Sequence, residues 1–330
     1  MRVAIGSSLS APAVIAVTGL HTHLGQRLVP RLLERSRGLR VVGLDLRRPM
    51  RFDENAHFHR IDLTEPTADG SLAEILQSER VEALVHLAFR GDPSNDLELD
   101  HELETIGSLH VMNACAAAKV KRLVVQSSTQ LYGPHPDNPN FLTEAHPLRG
   151  HPQNHAVRDR IEMEGLLADW SGSHPDVEIS VLRHPWVFGE SYWSRIVRYF
   201  ALPLVAVPLG YDPMLQLVHE DDLLHAFERA VLQPRAGVFN IVGRGVVPLS
   251  RLLALGGKRV WSLPSPLLNR LAYYPSQGQT GDPPEAFFDY LRYLWVADGS
   301  RGWDAFGEPR YSTKEAWISF ISSRRMRRYR

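Results

Sequence analysis

Short apolar segments alternate with segments of helical period along the first 243 residues, and this alternation constrains the fold more than any other feature. "AVIAVTG" at 13–19 is apolar throughout, which is typical of a strand buried on both faces of a parallel sheet. The segment 24–36 places Leu24, Leu28 and Leu32 on one helical face, although Pro30 removes a backbone donor and predicts a kink. We therefore expect an α/β fold with a doubly wound parallel sheet. The predicted strands are 13–19, 39–45, 81–88, 120–128, 177–184 and 237–243, and the predicted helices are 24–36, 70–79, 103–119 and 155–169.

The turn "VTGLHTHLG" at 17–25 follows a predicted strand and opens a predicted helix, and Asp45 ends the next strand twenty residues beyond Gly25. This context is that of a dinucleotide-binding (Rossmann) turn, in which N–H groups at the helix N-terminus bind pyrophosphate. A carboxylate at Asp45 accepts hydrogen bonds from ribose hydroxyls, which favours NAD over NADP. Arg47 and Arg48 follow directly and can instead bind a 2′-phosphate, so NADP stays open.

The sequence changes character after the fifth predicted strand. Residues 185–216 are rich in aromatic residues and prolines, and 244–330 are rich in loops. A chain of 330 residues is long enough for one large domain with a smaller lobe. We expect 1–184, joined by the returning segment 217–243, to form the dinucleotide-binding domain. The remaining two segments are then an interleaved substrate lobe.

Composition argues against several classes of protein. The 37 basic and 37 acidic residues give a formal net charge of +0, so nothing indicates nucleic-acid binding. The single cysteine, Cys115, cannot form an internal disulfide, which fits a reducing cytoplasm. We expect no integral membrane segment and no metal site. The last seven residues contain five arginines, which predict a solvated tail, with contact to acidic lipid or to a partner as the alternative.

Further motifs, in the order expected of one known family, run along the chain. They are "TGLHTHLG" at 18–25, "DLT" at 62–64, "HLAF" at 86–89, "SSTQLYG" at 127–133 and "HEDDL" at 219–223. With them the chain resembles the extended short-chain dehydrogenases/reductases of the NAD-dependent epimerase/dehydratase family from residue 13 to about 243. The resemblance implies a small-molecule substrate and cofactor contacts by Gly19, Thr22, Leu24, Gly25, Asp45, Arg47, Asp62, Leu63, Leu87, Ala88, Arg160 and Pro185.

Thr22 departs from the family at the second glycine of its turn. That glycine lets the backbone approach the pyrophosphate, and a threonine side chain crowds the path. Two outcomes stay open: a shifted loop that still binds dinucleotide, or binding that is weakened or lost.

The family's catalytic groups are a serine, an asparagine, and a tyrosine and lysine four residues apart on one helix. Ser128 matches the serine, which polarises the reacting oxygen. Aligned on "RDRIEME", Ala156 takes the tyrosine position, Arg160 the lysine position and Glu104 the asparagine position. Arg160 can still donate to ribose hydroxyls. His155 adjoins the tyrosine position but is rotated by about 100°, so it is either a proton donor in a shifted register or a surface or packing histidine.

The substrate lobe lacks the arginine with which the family's sugar-nucleotide epimerases bind diphosphate, because Leu215 takes its position. Aromatic residues surround that segment, and we expect most of them to pack the lobe: Trp186, Phe188, Tyr192, Trp193, Tyr199 and Phe200. A small, rather apolar or aromatic substrate is therefore expected in preference to a UDP- or TDP-sugar.

Two interpretations of function follow. The first is an atypical oxidoreductase or epimerase acting on a carbonyl or hydroxyl substrate, in which Ser128 holds the oxygen and His155 or water moves the proton. The second is a non-catalytic nucleotide-binding or regulatory protein. The resemblance also implies a homodimer formed through the helices predicted at 103–119 and 155–169.

Overall fold

The structure is a computed structural model that describes residues 11–35, 38–50, 52–89, 96–233, 235–276 and 282–327. The end of the arginine-rich tail, 328–330, lies outside the described residues. The strands are β1 Val14–Thr18, β2 Arg40–Asp45, β3 Ala56–Arg60, β4 Ala83–His86, β5 Arg122–Ser128, β6 Glu178–His184, β7 Trp186–Phe188, β8 Leu204–Pro208, β9 Met214–Leu215, β10 Leu217–His219, β11 Gly237–Asn240, β12 Val247–Pro248 and β13 Arg259–Leu263.

The helices between these strands follow the predicted alternation. They are α1 His23–Arg35, α2 Ala68–Ser78, α3 Leu97–His101, α4 Gly107–Ala117, α5 His155–Ser173, α6 Arg195–Ala201, α7 Glu220–Leu232, α8 Leu249–Leu255, α9 Ser265–Ser276, α10 Glu285–Phe288, α11 Ser300–Phe306 and α12 Thr313–Arg327. A π-helical turn, Glu102–Ile106, joins α3 to α4, and 3₁₀ turns cover Thr129–Tyr132 and Asp289–Leu291.

Seven strands form one sheet in the order β11-β6-β5-β4-β1-β2-β3, and every neighbouring pair is parallel. This confirms the predicted doubly wound α/β fold. The chain runs outward in opposite directions from β1 and β4, so this is the topological switch point of the sheet. In such sheets the ligand crevice lies at the carboxyl ends of the strands at the switch point.

The structure differs from the predicted elements at β3, in the helix predicted at 103–119 and at α7, which was not predicted. Strand β3, "AHFHR", was not predicted, because its polar residues lack an apolar run and it pairs only at the edge of the sheet. The helix predicted at 103–119 begins earlier and contains the π-helical turn. Pro30 lies inside α1, which continues to Arg35.

Three apolar cores hold these layers together. Helices α1 and α7 pack on one face of the sheet, while α2, α4 and α5 pack on the other. The third core fills the lobe, where Phe188 and Phe200 are buried against Trp317 from α12, and Trp186 against Phe200. Leu215 is also buried there, whereas the side chain of Trp193 is exposed. Most of the aromatic residues singled out in the sequence thus pack the lobe.

Short strands outside the main sheet build the lobe: β7 pairs with β10, β8 with β13, and β9 with β12. Among the described helices, none combines the length and the apolar character that crossing a bilayer requires.

Candidate active site

The turn between β1 and α1 requires glycine at two positions. Gly19 has a φ of +73°, and a Cβ atom there would lie 2.4 Å from the carbonyl oxygen of Leu87. A Cβ atom on Gly25 would lie 2.2 Å from the carbonyl oxygen of Gly19. The turn therefore packs tightly against β4 and against the first turn of α1, as a dinucleotide-binding turn does.

Thr22 caps helix α1 with its side chain. Its Oγ1 donates to the carbonyl oxygen of Gly19 over 2.7 Å and accepts the N–H of Gly25 over 3.0 Å. The N–H of Gln26 donates to the carbonyl oxygen of Thr22. Because the first four N–H groups of a helix have no partner within it, the amides of His23 and Leu24 are the two left to face a ligand. The threonine thus fits the turn as an N-cap, and it takes one of the donors that a pyrophosphate would use.

Asp45 ends β2 beside this turn. Its Oδ2 accepts the N–H of His21 over 3.1 Å and lies 3.2 Å from Nδ1 of the same histidine. Its Oδ1 accepts the N–H of Leu46 over 2.7 Å. Arg47 and Arg48 are exposed beyond it, and Arg48 lies over the ring of Phe52. The carboxylate is therefore held by His21, whose half-exposed ring lines the groove described below, and a ribose hydroxyl would take the place of that ring.

The other cofactor residues expected from the sequence follow the ends of neighbouring strands. Leu87, after β4, donates its N–H to the Oγ1 of Thr18, and Ala88 comes next. Asp62, after β3, accepts hydrogen bonds from the N–H and the hydroxyl of Thr64. Leu63 is buried against α4. These residues thus lie along the carboxyl edge of the sheet, on both sides of Asp45.

A groove of about 300 Å³ runs from the glycine turn to the end of β5. Thr22 and Leu24 line one end, and Ser128, Arg160 and Pro185 line the other. The donors at the start of α1, the carboxylate at the end of β2 and this continuous groove together fit a nicotinamide dinucleotide.

Ser128 lies at the end of β5 with its hydroxyl already engaged. Its Oγ donates to the carbonyl oxygen of His184 over 3.2 Å and accepts the N–H of Gln130 over 3.1 Å. Burial lowers the pKa of His184 to about 4, so this imidazole is neutral at pH 7. Its Nε2 lies 3.0 Å from the amide nitrogen of Gln126.

Glu104 and Arg160 form a buried ion pair beside Ser128. The Oε2 of Glu104 lies 2.7 Å from one terminal nitrogen of Arg160 and 3.1 Å from its Nε. The guanidinium also lies over the ring of Phe89, 4.7 Å from the centroid. Glu104 reaches this position from the π-helical turn, a feature that is frequent at functional sites. Two residues that depart from the family pattern are therefore partners of each other.

A second cavity, of about 110 Å³, adjoins the groove. Ser128, Ala156 and Arg160 line it together, so the structure brings together the three positions aligned on the family's serine, tyrosine and lysine. Asp282 and Tyr290 line its far wall. The Tyr290 hydroxyl donates to the carbonyl oxygen of Gln130, and burial raises the pKa of this tyrosine well above its ordinary value.

His155 contacts Asp282 and is not among the residues that line this cavity. The Oδ1 of Asp282 lies 2.7 Å from Nδ1 of His155 and accepts the backbone N–H of the same residue over 3.1 Å. Asp282 is buried, and its histidine is half exposed. The sequence offered no sign of Asp282, which lies 127 residues from His155 in a loop-rich segment without a motif.

Glu220 ties the glycine turn to the lobe. Its Oε2 lies 2.6 Å from Nε2 of His23 and accepts a hydrogen bond from Arg27 over 2.7 Å. The backbone N–H and hydroxyl of Ser191 donate to the same carboxylate over 2.8 and 2.6 Å. The ring of His23 also packs edge-on against Tyr192, with centroids 4.7 Å apart. This set of residues, called the Glu220 clamp below, joins the start of α1 to the loop after β7.

Tyr132, in the "LYG" motif, has a structural role. Its hydroxyl donates to Oδ1 of Asn240 over 2.8 Å and accepts a hydrogen bond from Arg183 over 3.0 Å. Arg183 is in turn paired with the buried Glu164. The network joins β6, β11 and α5 behind the site.

Comparisons with known proteins agree with this geometry. Residues 15–242 match the NAD dependent epimerase/dehydratase family. An uncharacterized protein of Mycobacterium tuberculosis is 30% identical over 332 residues, which cover 95% of this chain and 84% of that protein. UDP-glucose 4-epimerase of Yersinia enterocolitica is 27% identical over 184 residues, 52% of each chain.

Solved structures share the fold at lower identity. MoeE5 in complex with UDP-glucuronic acid and NAD superposes with a TM-score of 0.71 at 19% identity, covering 95% of this chain and 99% of its own. UDP-glucose 4-epimerase of Thermotoga maritima, solved with UDP-glucose, gives a TM-score of 0.71 at 20% identity with the same coverage. The family match spans well over half of the chain and includes the glycine turn and Ser128. The chain therefore belongs to the NAD dependent epimerase/dehydratase family.

Proposed function

We propose that this protein binds NAD in the groove between the glycine turn and Ser128. The amides of His23 and Leu24 meet the pyrophosphate, and Asp45 meets the adenosine ribose. Arg160 lines the opposite end of the groove, where its guanidinium would donate to the hydroxyls of the second ribose. Support comes from the family match and from neighbours solved with NAD. When bound, the nicotinamide accepts or donates a hydride.

The reaction we propose is the reduction or oxidation of a small, rather apolar carbonyl or hydroxyl compound, without the family's tyrosine and lysine. Ser128 holds the substrate oxygen in the cavity. The Asp282–His155 pair gives a proton to that oxygen in reduction and takes one from it in oxidation. Asp282 is placed for this transfer because it lines the same cavity as Ser128 and is hydrogen-bonded to the imidazole. The half-exposed His155 then exchanges the proton with solvent. The carrying observation is the joint placement of Ser128, Ala156 and Asp282 around one cavity.

The chemistry of the guanidinium group explains why we do not propose Arg160 as the proton donor. A guanidinium stays charged in proteins and has no acceptor, so it orients hydroxyls but does not relay protons. Its pairing with Glu104 also neutralises its charge locally. Leu215, in the lobe core, offers no charge to a diphosphate, so we propose that UDP- and TDP-sugars are not substrates.

A second candidate function is nucleotide binding without turnover. It is favoured by Ala156, which carries no hydroxyl at the tyrosine position, and by the Glu104–Arg160 pair. In this case the groove and the glycine turn serve recognition alone. We also propose that the protein forms a homodimer through α4 and α5, which light scattering on a sizing column would test.

Calorimetric titration with NADH and NADPH, followed by NADH oxidation against small aliphatic and aromatic ketones, tests both candidates. Asp282→Asn should lower turnover by about 10² or more and leave NADH affinity unchanged. The matched control is Asp289→Asn, since Asp289 pairs with His151 over 3.1 Å and is not among the residues that line the cavity. Equal losses in both variants would contradict the proton role of Asp282. NADH binding without turnover of any compound would favour recognition alone, and failure to bind either nucleotide would reject both candidates.

A further inference from the structure

The lobe exposes large apolar side chains on one of its two-stranded sheets. Strands β8 and β13 pair in parallel, with Leu204 opposite Arg259 and Ala206 opposite Trp261. Because paired residues project to the same side of a sheet, these four side chains share one face. Leu204 is 44% exposed and Trp261 50% exposed on that face. We call residues 202–211 and 257–263 the lobe ribbon.

More exposed apolar side chains border this face. They lie beside the two ends of β8 and on α9, which packs against β8: Leu202, Leu209, Leu267 and Leu271. Soluble proteins rarely leave a contiguous apolar surface of this kind uncovered unless it meets a partner or a membrane.

The charge around the ribbon has one sign. The two segments that build it and its flanks, 195–211 and 249–271, contain basic residues and no acidic residue, although the whole chain has 37 of each. The basic residues are Arg195, Arg198, Arg251, Lys258, Arg259 and Arg270. The next acidic residue along the chain, Asp212, is bonded to the N–H and hydroxyl of Ser250.

The arginine-rich end of α12 lies beside this surface. A Cβ atom on Gly257, directly before the start of β13, would lie 3.5 Å from the guanidinium of Arg325. Lys258 closes the ribbon by donating to the carbonyl oxygens of Ala201 and Leu202 over 3.1 and 3.0 Å. The basic helix end thus lies next to the residues that lead into β13.

We propose that the lobe ribbon docks on an anionic phospholipid surface. Leucine and tryptophan side chains enter the boundary between headgroups and acyl chains, and the flanking guanidinium groups meet lipid phosphates. An acidic protein partner would match the charges as well, but exposed leucine and tryptophan within segments that carry basic and no acidic residues are the composition of an interfacial surface. The proposal does not depend on the reaction.

Co-sedimentation of the full chain with vesicles tests the proposal. We expect binding to vesicles of phosphatidylcholine mixed equally with phosphatidylglycerol, little binding to phosphatidylcholine alone, and release by high salt. Arg259→Gln with Arg325→Gln should weaken binding by about tenfold or more, because each basic residue near the surface contributes. Lys121→Gln, on the sheet domain, is the matched control and should bind as the unmodified protein does.

A second pair of variants separates the apolar contribution. Leu204→Gln with Trp261→Gln should lose binding, whereas Phe141→Gln, at a residue 53% exposed elsewhere, should keep it. All these side chains are exposed, so thermal unfolding should be unchanged. Absence of sedimentation with anionic vesicles, equal sedimentation with both vesicle types, or full binding by either double variant would overturn the proposal.

Discussion

The carboxylate of Glu104 and the guanidinium of Arg160 contact each other through three hydrogen bonds of 2.7 to 3.1 Å, in a position where the glutamate is 1% exposed. Each residue taken alone is a departure from the family. At these two positions the family has a neutral asparagine and a lysine. Here the glutamate and the arginine pair with each other, so that neither charge is buried without a partner.

Removing one member of this pair should destabilise the protein strongly. Glu104→Ala leaves a largely buried guanidinium unpaired, and we expect the free energy of unfolding to fall by about 3–5 kcal/mol. The double variant Glu104→Asn with Arg160→Lys should recover part of that loss, as a double-mutant cycle in urea would show. Asp137→Ala, which breaks an exposed pair with Arg149, is the control and should change stability by less than about 1 kcal/mol. Similar losses in both variants would contradict the buried pairing.

Nucleotide preference should depend on Asp45. We expect Asp45→Ala to weaken NADH binding by about tenfold or more, because hydrogen bonds from ribose hydroxyls to a charged acceptor are lost. NADPH should bind the native protein less tightly than NADH, since a 2′-phosphate would approach the carboxylate. Calorimetric titration measures both. Tighter binding of NADPH, reduced by Arg47→Ala, would assign recognition to the arginine instead.

Thr22 should trade helix stability against nucleotide affinity. Thr22→Ala removes the N-cap and should lower the free energy of unfolding by about 1 kcal/mol. Thr22→Gly should lower the free energy of unfolding by only roughly a few tenths of a kcal/mol. It should also bind NADH more tightly, because the amide of Gly25 is released. Ser312→Ala, which removes the hydroxyl that accepts the N–H of Glu315 in the first turn of α12, is a control outside the groove lining and should leave NADH affinity unchanged. Unaltered affinity in Thr22→Gly would mean that the cap does not limit binding.

Rebuilding the family's catalytic residues requires three changes. Ala156→Tyr and Arg160→Lys restore the hydroxyl and its lysine, and Glu104→Asn removes the carboxylate that would otherwise pair with that lysine. We expect the triple variant to gain carbonyl reduction, since a positioned acid or base contributes about 10²–10⁴ in rate. NADH oxidation by the native, double and triple variants measures the gain. A double variant as active as the triple would show that Glu104 does not interfere.

The Glu220 clamp should make stability depend on acid pH. Burial raises the pKa of Glu220, but hydrogen bonds from His23 and Ser191 and the charge of Arg27 outweigh it and bring the pKa from 4.5 to about 2. The carboxylate therefore contributes fully above about pH 4.5, and its contribution is lost as the pH falls toward 2. At pH 7, Glu220→Gln should cost about 3 kcal/mol. Urea unfolding of both proteins from pH 7 to 2 should show this difference shrinking; a constant difference would contradict the assignment.

Much of the fold and part of the site could be predicted from the sequence, because the signals are local. The glycine turn, Asp45 and Ser128 each follow an apolar strand, and strand ends converge at one edge of a parallel sheet. The alignment of Ala156 and Arg160 needed only the helical spacing between them. Local signals also explain the failure at β3, whose residues are polar because the strand lies at the edge.

Long-range partners were beyond such reasoning. Glu104 and Arg160 lie 56 residues apart, and neither position alone indicates the other. Asp282 belongs to a loop-rich segment with no motif, so the environment of His155 emerged only from the folded chain. His155 contacts Asp282 but is not among the residues that line the cavity. This is the position expected from its rotation on the helix relative to Ala156.

The Glu220 clamp connects the two sides of the groove through side-chain contacts. His23, whose amide is offered to the nucleotide, is held by the same carboxylate that fixes Ser191, and its ring rests on Tyr192. A displacement of the first turn of α1 is thereby transmitted to the loop after β7, which ends in the exposed indole of Trp193. Occupancy of the groove should thus change the fluorescence of Trp193, an exposed tryptophan that lines this groove.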